Sequence, residues 1–185
     1  MKLIIGLGNP GKQYKSTRHN LGRLIIKSFQ KKAGFSDFES KKKMKALISK
    51  KEKTILALPE TFMNSSGQSI KLIAKNYKLK SDNIIVIHDD FDLDIGKMKI
   101  SKNRGAAGHK GIQSIINQLK TKSFIRFRIG IKPKRKPKDL DKFVLKKFSK
   151  TEQLIIKKAI KKTLGAISFY LENDLEKAMN EFNKE

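Results

Sequence analysis

The chain holds few groups able to move protons or attack an electrophile. It has no cysteine, so thiolate nucleophiles, thiolate metal sites and disulfides are excluded. Its three histidines, His19, His88 and His109, stand far apart along the chain. His19 stands in a polar loop, Ser16-Thr17-Arg18-His19-Asn20, where a side chain can meet substrate. An imidazole, with a reference pKa of about 6.5, is the natural general base for activating water near neutral pH. The competing reading is an idle surface histidine. Asp89 weakens that reading. It closes the apolar run Ile84 to Ile87, where active-site groups collect, and a carboxylate there can orient an imidazole through its N–H. Its plain alternative is a turn or helix cap. His88, its neighbour, should point to the opposite strand face and so serve a different surface. The carboxamides Asn9, Asn20 and Asn64 could bind a carbonyl or a developing oxyanion, or merely cap turns. Together these residues would suit a water-activating hydrolase on a polyanionic substrate, with an idle histidine and turn caps as the plain alternative.

Other motifs fail on inspection. Gly6-Leu7-Gly8-Asn9-Pro10-Gly11 fits the dinucleotide fingerprint G-x-G-x-x-G. That fingerprint needs a helix to open at once so that its N-terminus meets the pyrophosphate. Here Pro10-Gly11 makes a turn, helical periodicity resumes only near Asn20, and no acidic residue closes a second strand at the right distance. A nicotinamide-dependent oxidoreductase would bind its cofactor there; failure to bind one disposes of that reading. Asp90, Asp92, Asp94 and Gly96 resemble the start of a calcium loop, but Ile95 intervenes before the glycine and Ser101 holds the place of the closing glutamate. No H-E-x-x-H pattern and no G-x-S-x-G elbow occurs. No metal and no cofactor are expected.

The elements that must position these residues follow from periodicity. Lys2 to Gly8 reads as a buried first strand, and residues 9–18 as a turn-rich loop. Leu21, Leu24, Ile25 and Phe29 predict a helix over 20–33. Residues 44–50 and 53–58 form a pair of strands. Asn64-Ser65-Ser66 can cap a helix over 66–78. Ile84 to Ile87 is a strand ending at His88-Asp89, and 97–101 and 126–131 are further strands, with a helix over 109–120 between the two. A basic loop, 132–138, precedes a helical remainder. Alternating strands and helices predict one α/β domain over 1–185, with a mixed, mostly parallel central sheet flanked by helices. In such sheets ligands sit beyond the carboxyl ends of the strands, where the clusters after residues 5 and 87 fall.

Composition narrows the partner. The net charge is +26, from 43 basic and 17 acidic residues. Such an excess suits a polyanion such as nucleic acid, although lysine predominates and a lysine-biased composition explains part of it. With 38% hydrophobic residues the chain can build a core. No apolar stretch approaches the roughly 18 residues of a membrane span, and the apolar run Leu3 to Ile5 is too short for a signal-peptide core. A cytoplasmic protein is expected.

Several blocks now resemble one known family. Gly6-Leu-Gly-Asn-Pro-Gly11, Tyr14 and Thr17-Arg-His-Asn20 are similar to the opening signature of bacterial-type peptidyl-tRNA hydrolases. Pro59-Glu-Thr-Phe-Met-Asn-Ser-Ser-Gly67 resembles the second signature. His88-Asp-Asp-Phe-Asp-Leu93 with Asp94, Gly96 and Gly108-His-Lys-Gly111 resembles the third, and Phe127-Arg-Ile-Gly-Ile131 a weaker fourth. The blocks keep the family's order and spacing. The resemblance implies a phosphorylase/hydrolase-like fold, a monomer, and hydrolysis of the ester between a peptide and the 3′ ribose of tRNA, which recycles tRNA from stalled or aborted translation. It implies His19 as the base, Asp89 as the group that keeps its imidazole basic and oriented, and Asn9 as a catalytic contact near the ester that helps distinguish blocked from free aminoacyl-tRNA. Asn64 would hold the substrate carbonyl or the water beside Met63, Tyr14 and Phe62 would line the cleft, and Lys99 and Arg128 would grip the tRNA 5′ phosphate. The basic loop 132–138 would extend that track.

Two departures stand out. Lys110 replaces the asparagine of the family's G-H-N-G stretch; lysine donates but cannot accept a hydrogen bond. Pointing into the cleft, it would lower the pKa of His19; swung out to phosphate, it would strengthen RNA binding. The loop Asn103-Arg104-Gly105-Ala106-Ala107 is also less glycine-rich than the family's. A non-catalytic RNA-binding protein on the same fold is the alternative; the retained His19, Asp89, Asn9 and Asn64 argue against it and Lys110 mildly for it. Either way, tRNA affinity is expected to fall steeply with salt, by about 0.9 in log K per log salt for each phosphate contacted. A flat titration from low to high salt refutes an electrostatic grip.

Overall fold

The computed structural model describes residues 1–135 and 137–184. Lys136, in the expected basic loop, and Glu185 lie outside the described residues. One seven-stranded sheet organises the chain, in the order β2-β3-β4-β1-β5-β7-β6. The strands are β1 (Lys2–Gly6), β2 (Glu39–Lys41), β3 (Ala46–Lys51), β4 (Thr54–Pro59), β5 (Ile84–Asp94), β6 (Met98–Ser101) and β7 (Ile125–Lys132). β4, β1, β5 and β7 run parallel in the centre, and antiparallel pairings add β3 and β2 on one side and β6 on the other. The mixed sheet with a parallel middle is as expected. Central strands are apolar on both faces because both are covered. Ile4, Ile85, Ile87, Phe127 and Ile129 belong to one core. Leu3, Ile5, Ile55, Val86, Ile112 and Ile115 belong to the other.

The helices α1 (Leu21–Lys32), α5 (Lys150–Glu172) and α6 (Leu175–Phe182) supply residues to the first core. Helices α2 (Ser66–Asn76) and α3 (Lys110–Leu119) cover the other face. A short helix, α4 (Leu140–Val144), precedes α5. Ser149 and Glu152 close a capping box at the start of α5, each side chain bonding the other's backbone N–H.

Three local expectations need correction. β5 does not end at His88-Asp89 but runs to Asp94. Asp89 and Asp90 pair with Ile129 and Gly130, and the register shifts between Asp90 and Asp94. Ladder partners on β7 hold this polar stretch extended; at Gly130 a Cβ would collide with the Asp94 carbonyl oxygen, so glycine permits the shifted strand. β2 is unexpected, since Glu39-Ser40-Lys41 carries no apolar pattern; it forms only because β3 offers an edge. Ser65 occupies the N-cap of α2 without a side-chain cap, and Ser66 Oγ instead donates to the Met63 carbonyl.

The seat of α1 sets the position of His19, which lies just before it. A Cβ at Gly22 would collide with the Ile87 carbonyl oxygen and stand 2.8 Å from the Leu7 nitrogen. Gly6 faces it, its own Cβ position lying 2.5 Å from the Gly22 oxygen. The helix therefore rests directly on the ends of β1 and β5. Gly22→Ala should cost about 1–3 kcal/mol by overpacking and lower the thermal midpoint by several degrees. Gly165→Ala, where a Cβ in α5 meets nothing within 4 Å, should raise it slightly by restricting the unfolded chain. Melting curves of the two variants check both signs.

Candidate active site

A 3-10 turn, Arg18–Asn20, carries His19 from the loop after β1 into α1. Neighbours on both sides pin the turn. The Asn9 backbone N–H donates to Asn20 Oδ1 at 2.8 Å, and Asn20 Nδ2 donates to the Asn9 carbonyl at 2.9 Å. Arg18 is buried. Its Nη1 donates to the carbonyls of Lys146 and Lys147, its Nη2 meets both oxygens of Glu152, and its guanidinium lies 4.3 Å from the Phe143 ring centre. His19 therefore sits between two anchored residues and is itself only 8% exposed. A further reach fixes Asn9: its Oδ1 accepts the Met63 N–H at 2.8 Å. The acceptor end of this carboxamide is used, which leaves Nδ2 as its donor.

Asp89, 2% exposed, receives two imidazoles. His19 Nδ1 lies 2.9 Å from Oδ2 and 3.1 Å from Oδ1. His109 Nε2 lies 3.2 Å from Oδ1. The tautomers follow from bonding. His109 is the N-cap of α3, and its Nδ1 accepts from the N–H groups of Gly111 and Ile112 at 3.1 and 3.3 Å. That nitrogen must carry a lone pair, so Nε2 carries the proton and donates to Asp89. His19 likewise donates Nδ1–H to Asp89, and its Nε2 is left as the basic nitrogen. Burial opposes the charged form of His19, but the charge and hydrogen bond of Asp89 outweigh it and raise its pKa. Lys110 pulls the other way and Asp141 assists. Burial also opposes ionisation of Asp89, yet His19 and His109 hold it well below the usual carboxylate range.

His88 does stay off the Asp89 side chain, as its strand position requires. Its Nδ1 bonds the Asp89 backbone carbonyl. Burial, then the neighbouring His109, lower its pKa to about 3, so its ring is neutral near pH 7. The histidines are nonetheless not far apart in space: the His109 ring lies 4.8 Å from both the His19 and the His88 rings. Donor atoms of His19, Asp89 and His109 all fall within 4.8 Å of one another, a donor set that suits a zinc-class ion. The tautomer opposes this use. His109 Nε2 could bind a metal only by losing its proton, and Nδ1 would then have to surrender the cap of α3.

The other expected residues divide. Met63 is buried, and its sulfur lies 2.5 Å from where a Gly111 Cβ would stand, so it packs against the start of α3 beside His109. Asn64, on the same 3-10 turn as Met63, is exposed, and Phe62 is 60% exposed just before it. Tyr14 lies half-buried on a separate turn, Lys12–Tyr14. Lys99 and Arg128 face each other in register on β6 and β7. Arg128 is buried, and its Nε bonds Asp90 at 2.7 Å. Asp90 also accepts the Asp92 N–H, and among the described residues Asp90, Asp92 and Asp94 do not converge as a metal-ligand group. Lys110 is exposed and bonds Asp141 at 2.7 Å.

Sequence reasoning misses two residues. His109 gives no signal of its own beyond its place in a motif, because a histidine capping a helix has no local signature. Arg126 carries no signal beyond its place at the start of the expected strand 126–131. It is 2% exposed. Its Nη1 bonds the Gly105 carbonyl, while Nε and Nη2 have no hydrogen-bond partner among the described residues. Burial, then Arg128 and Arg104, lower its pKa to about 10. A cavity of about 120 Å³ lies between Arg104, Gly105, Ala107, Arg126, Arg128 and Asp90.

Comparison with known proteins agrees with this architecture. The sequence profile of the family described as Peptidyl-tRNA hydrolase matches residues 3–185. The chain is 45% identical to the peptidyl-tRNA hydrolase of Thermoanaerobacter sp. (strain X514), over 99% of this chain and 100% of that one. It is 40% identical to that of Aquifex aeolicus (strain VF5), over 100% and 97%. The crystal structure of peptidyl-tRNA hydrolase from Acinetobacter baumannii superposes with a TM-score of 0.92 at 30% identity, covering 99% of this chain and 94% of that chain. From the match over nearly its whole length, the chain belongs to the peptidyl-tRNA hydrolase family.

Proposed function

We propose that His19 is the general base with which the chain carries out its family's reaction, hydrolysis of the ester joining a peptide to the tRNA 3′ ribose. The observation that carries this is the paired donation to Asp89, which leaves His19 Nε2 as a basic nitrogen in a fixed ring. Nε2 takes a proton from water as the water oxygen attacks the ester carbonyl. The negative charge then gathers on the carbonyl oxygen. Asn9 Nδ2 and Asn64 are the donors suited to that oxygen or to the water. When the intermediate collapses, the ribose 3′ oxygen leaves and takes the proton back from the imidazolium. Asp89 stabilises the transient imidazolium without itself taking a proton. Tyr14, Phe62 and Met63 supply apolar cleft surface on this reading. Intact donor and base groups disfavour the non-catalytic alternative.

tRNA would be gripped through phosphate. Lys99 and Arg128 remain the expected contacts, and Arg126 and Arg104 join them. A buried guanidinium with two unsatisfied nitrogens is costly without an anion, and the cavity beside it is of a size for a phosphate group. On this reading the enzyme works in the cytoplasm as a monomer and without a metal. No helix among the described residues is long and apolar enough to cross a membrane.

The first experiment is release of the acylated amino acid from N-acetyl-aminoacyl-tRNA in the presence of EDTA. His19→Ala should lose roughly 10²–10⁴ in kcat while tRNA binding persists; full activity in that variant rules out the base assignment. The base must be neutral to act, so kcat/KM should rise with pH through a value above 6.5, the ordinary histidine pKa. In Asp89→Asn the chief cause of the raised pKa is gone, so that limb should move to lower pH while the plateau rate falls. Arg104→Ala should raise KM a few-fold and reduce the salt slope by about 1, as for one lost phosphate contact.

A further inference from the structure

Lys110 and Asp141 meet at the mouth of a cavity whose floor is the reacting cluster. His19, Asp89 and His109 line it from below, Lys110 from the start of α3, and Leu140, Asp141 and Val144 from α4. Its volume is about 50 Å³. That admits a water or two, at about 30 Å³ each, and no part of a ribosyl ester. Lys110 Nζ and Asp141 Oδ2 lie 2.7 Å apart, and the two side chains remain 57% and 72% exposed. An ion pair so exposed is weak and salt-screened. α4 itself contributes no buried residue. Its C-terminal side is tied down, since Arg18 holds the carbonyls of Lys146 and Lys147 and lies against Phe143. Its N-terminal side meets α3 through the Lys110–Asp141 pair. Lys110 also occupies the first turn of α3, where the helix dipole favours an approaching anion.

We propose that Lys110 is a substrate-binding cation kept in reserve by Asp141, and that a phosphodiester near the 3′ end of tRNA takes Asp141's place on it. The exchange is isoelectric for Lys110, and the same phosphate repels Asp141 and so favours opening of α4. This inference rests on the proposed reaction for the identity of the ligand, but a binding measurement tests it without turnover. tRNA binding and hydrolysis of N-acetyl-aminoacyl-tRNA are measured at low salt for wild type, Lys110→Ala, Asp141→Asn and the double variant. Both residues are exposed, so folding is not at issue, and Lys110→Arg should keep near-normal affinity. Lys110→Ala should weaken binding by about 3–10-fold, in the range of one lost phosphate contact. Asp141→Asn should tighten it by about 2–5-fold, and that gain should vanish when Lys110 is also alanine, the mark of direct coupling. Equal tightening by Asp141→Asn with and without Lys110 would show a general charge effect and overturn the exchange, as would unchanged binding in Lys110→Ala. If wild type binds tRNA but releases nothing, the hydrolase reading fails while the binding cycle still decides the role of Lys110.

Discussion

Two imidazole N–H groups converge on one buried carboxylate, and the rest of the site is arranged around that convergence. Asp89 alone would be costly inside the protein. It is kept ionised because His19 and His109 both donate to it. His109 in turn has no freedom of tautomer, since two backbone N–H groups at the start of α3 claim its Nδ1. A helix cap thus sets the protonation of one ring, that ring shares the carboxylate, and the carboxylate orients the ring of His19, the proposed base. The same chain of bonds makes the cluster a poor metal site despite its donor set.

Such a cluster needs its three parts delivered from three places. Asp89 arrives on a long central strand, His109 at the start of a helix on one face, and His19 before a helix on the other. The glycine contact between α1 and the ends of β1 and β5 brings His19 to the strand end. Arg18 then links the same turn to the segment that roofs the cavity, through Lys146, Lys147 and Glu152. The placement of His19 and the geometry of the cavity consequently share one buried arginine.

The positive charge of the chain divides into two kinds. Most lysines are exposed and contribute a diffuse field. Arg126 and Arg128 are different: they are buried beside each other on β7, with one acid among the described residues, Asp90, bonded to one of them. Burying two guanidinium groups side by side is costly, and the phosphate contact proposed for them would offset that cost.

The sequence alone determined the helices and strands with strong periodicity, the mixed sheet, and the pair His19 and Asp89, because apolar spacing and an ordered set of motifs are local properties of the chain. It missed β2 and the extension of β5, since both depend on a neighbouring strand for their hydrogen bonds. It left the three histidines apart because separation along the chain says nothing of separation across a sheet. It read Arg126 as an ordinary strand residue and left Lys110 open between cleft and phosphate. Only the tertiary structure decided these: burial of Arg126 requires the loop at Gly105, the tautomer of His109 requires the first turn of α3, and the partner of Lys110 lies on a helix 31 residues away. Each is a pairing between groups distant in sequence, and the chain must fold before such pairs exist.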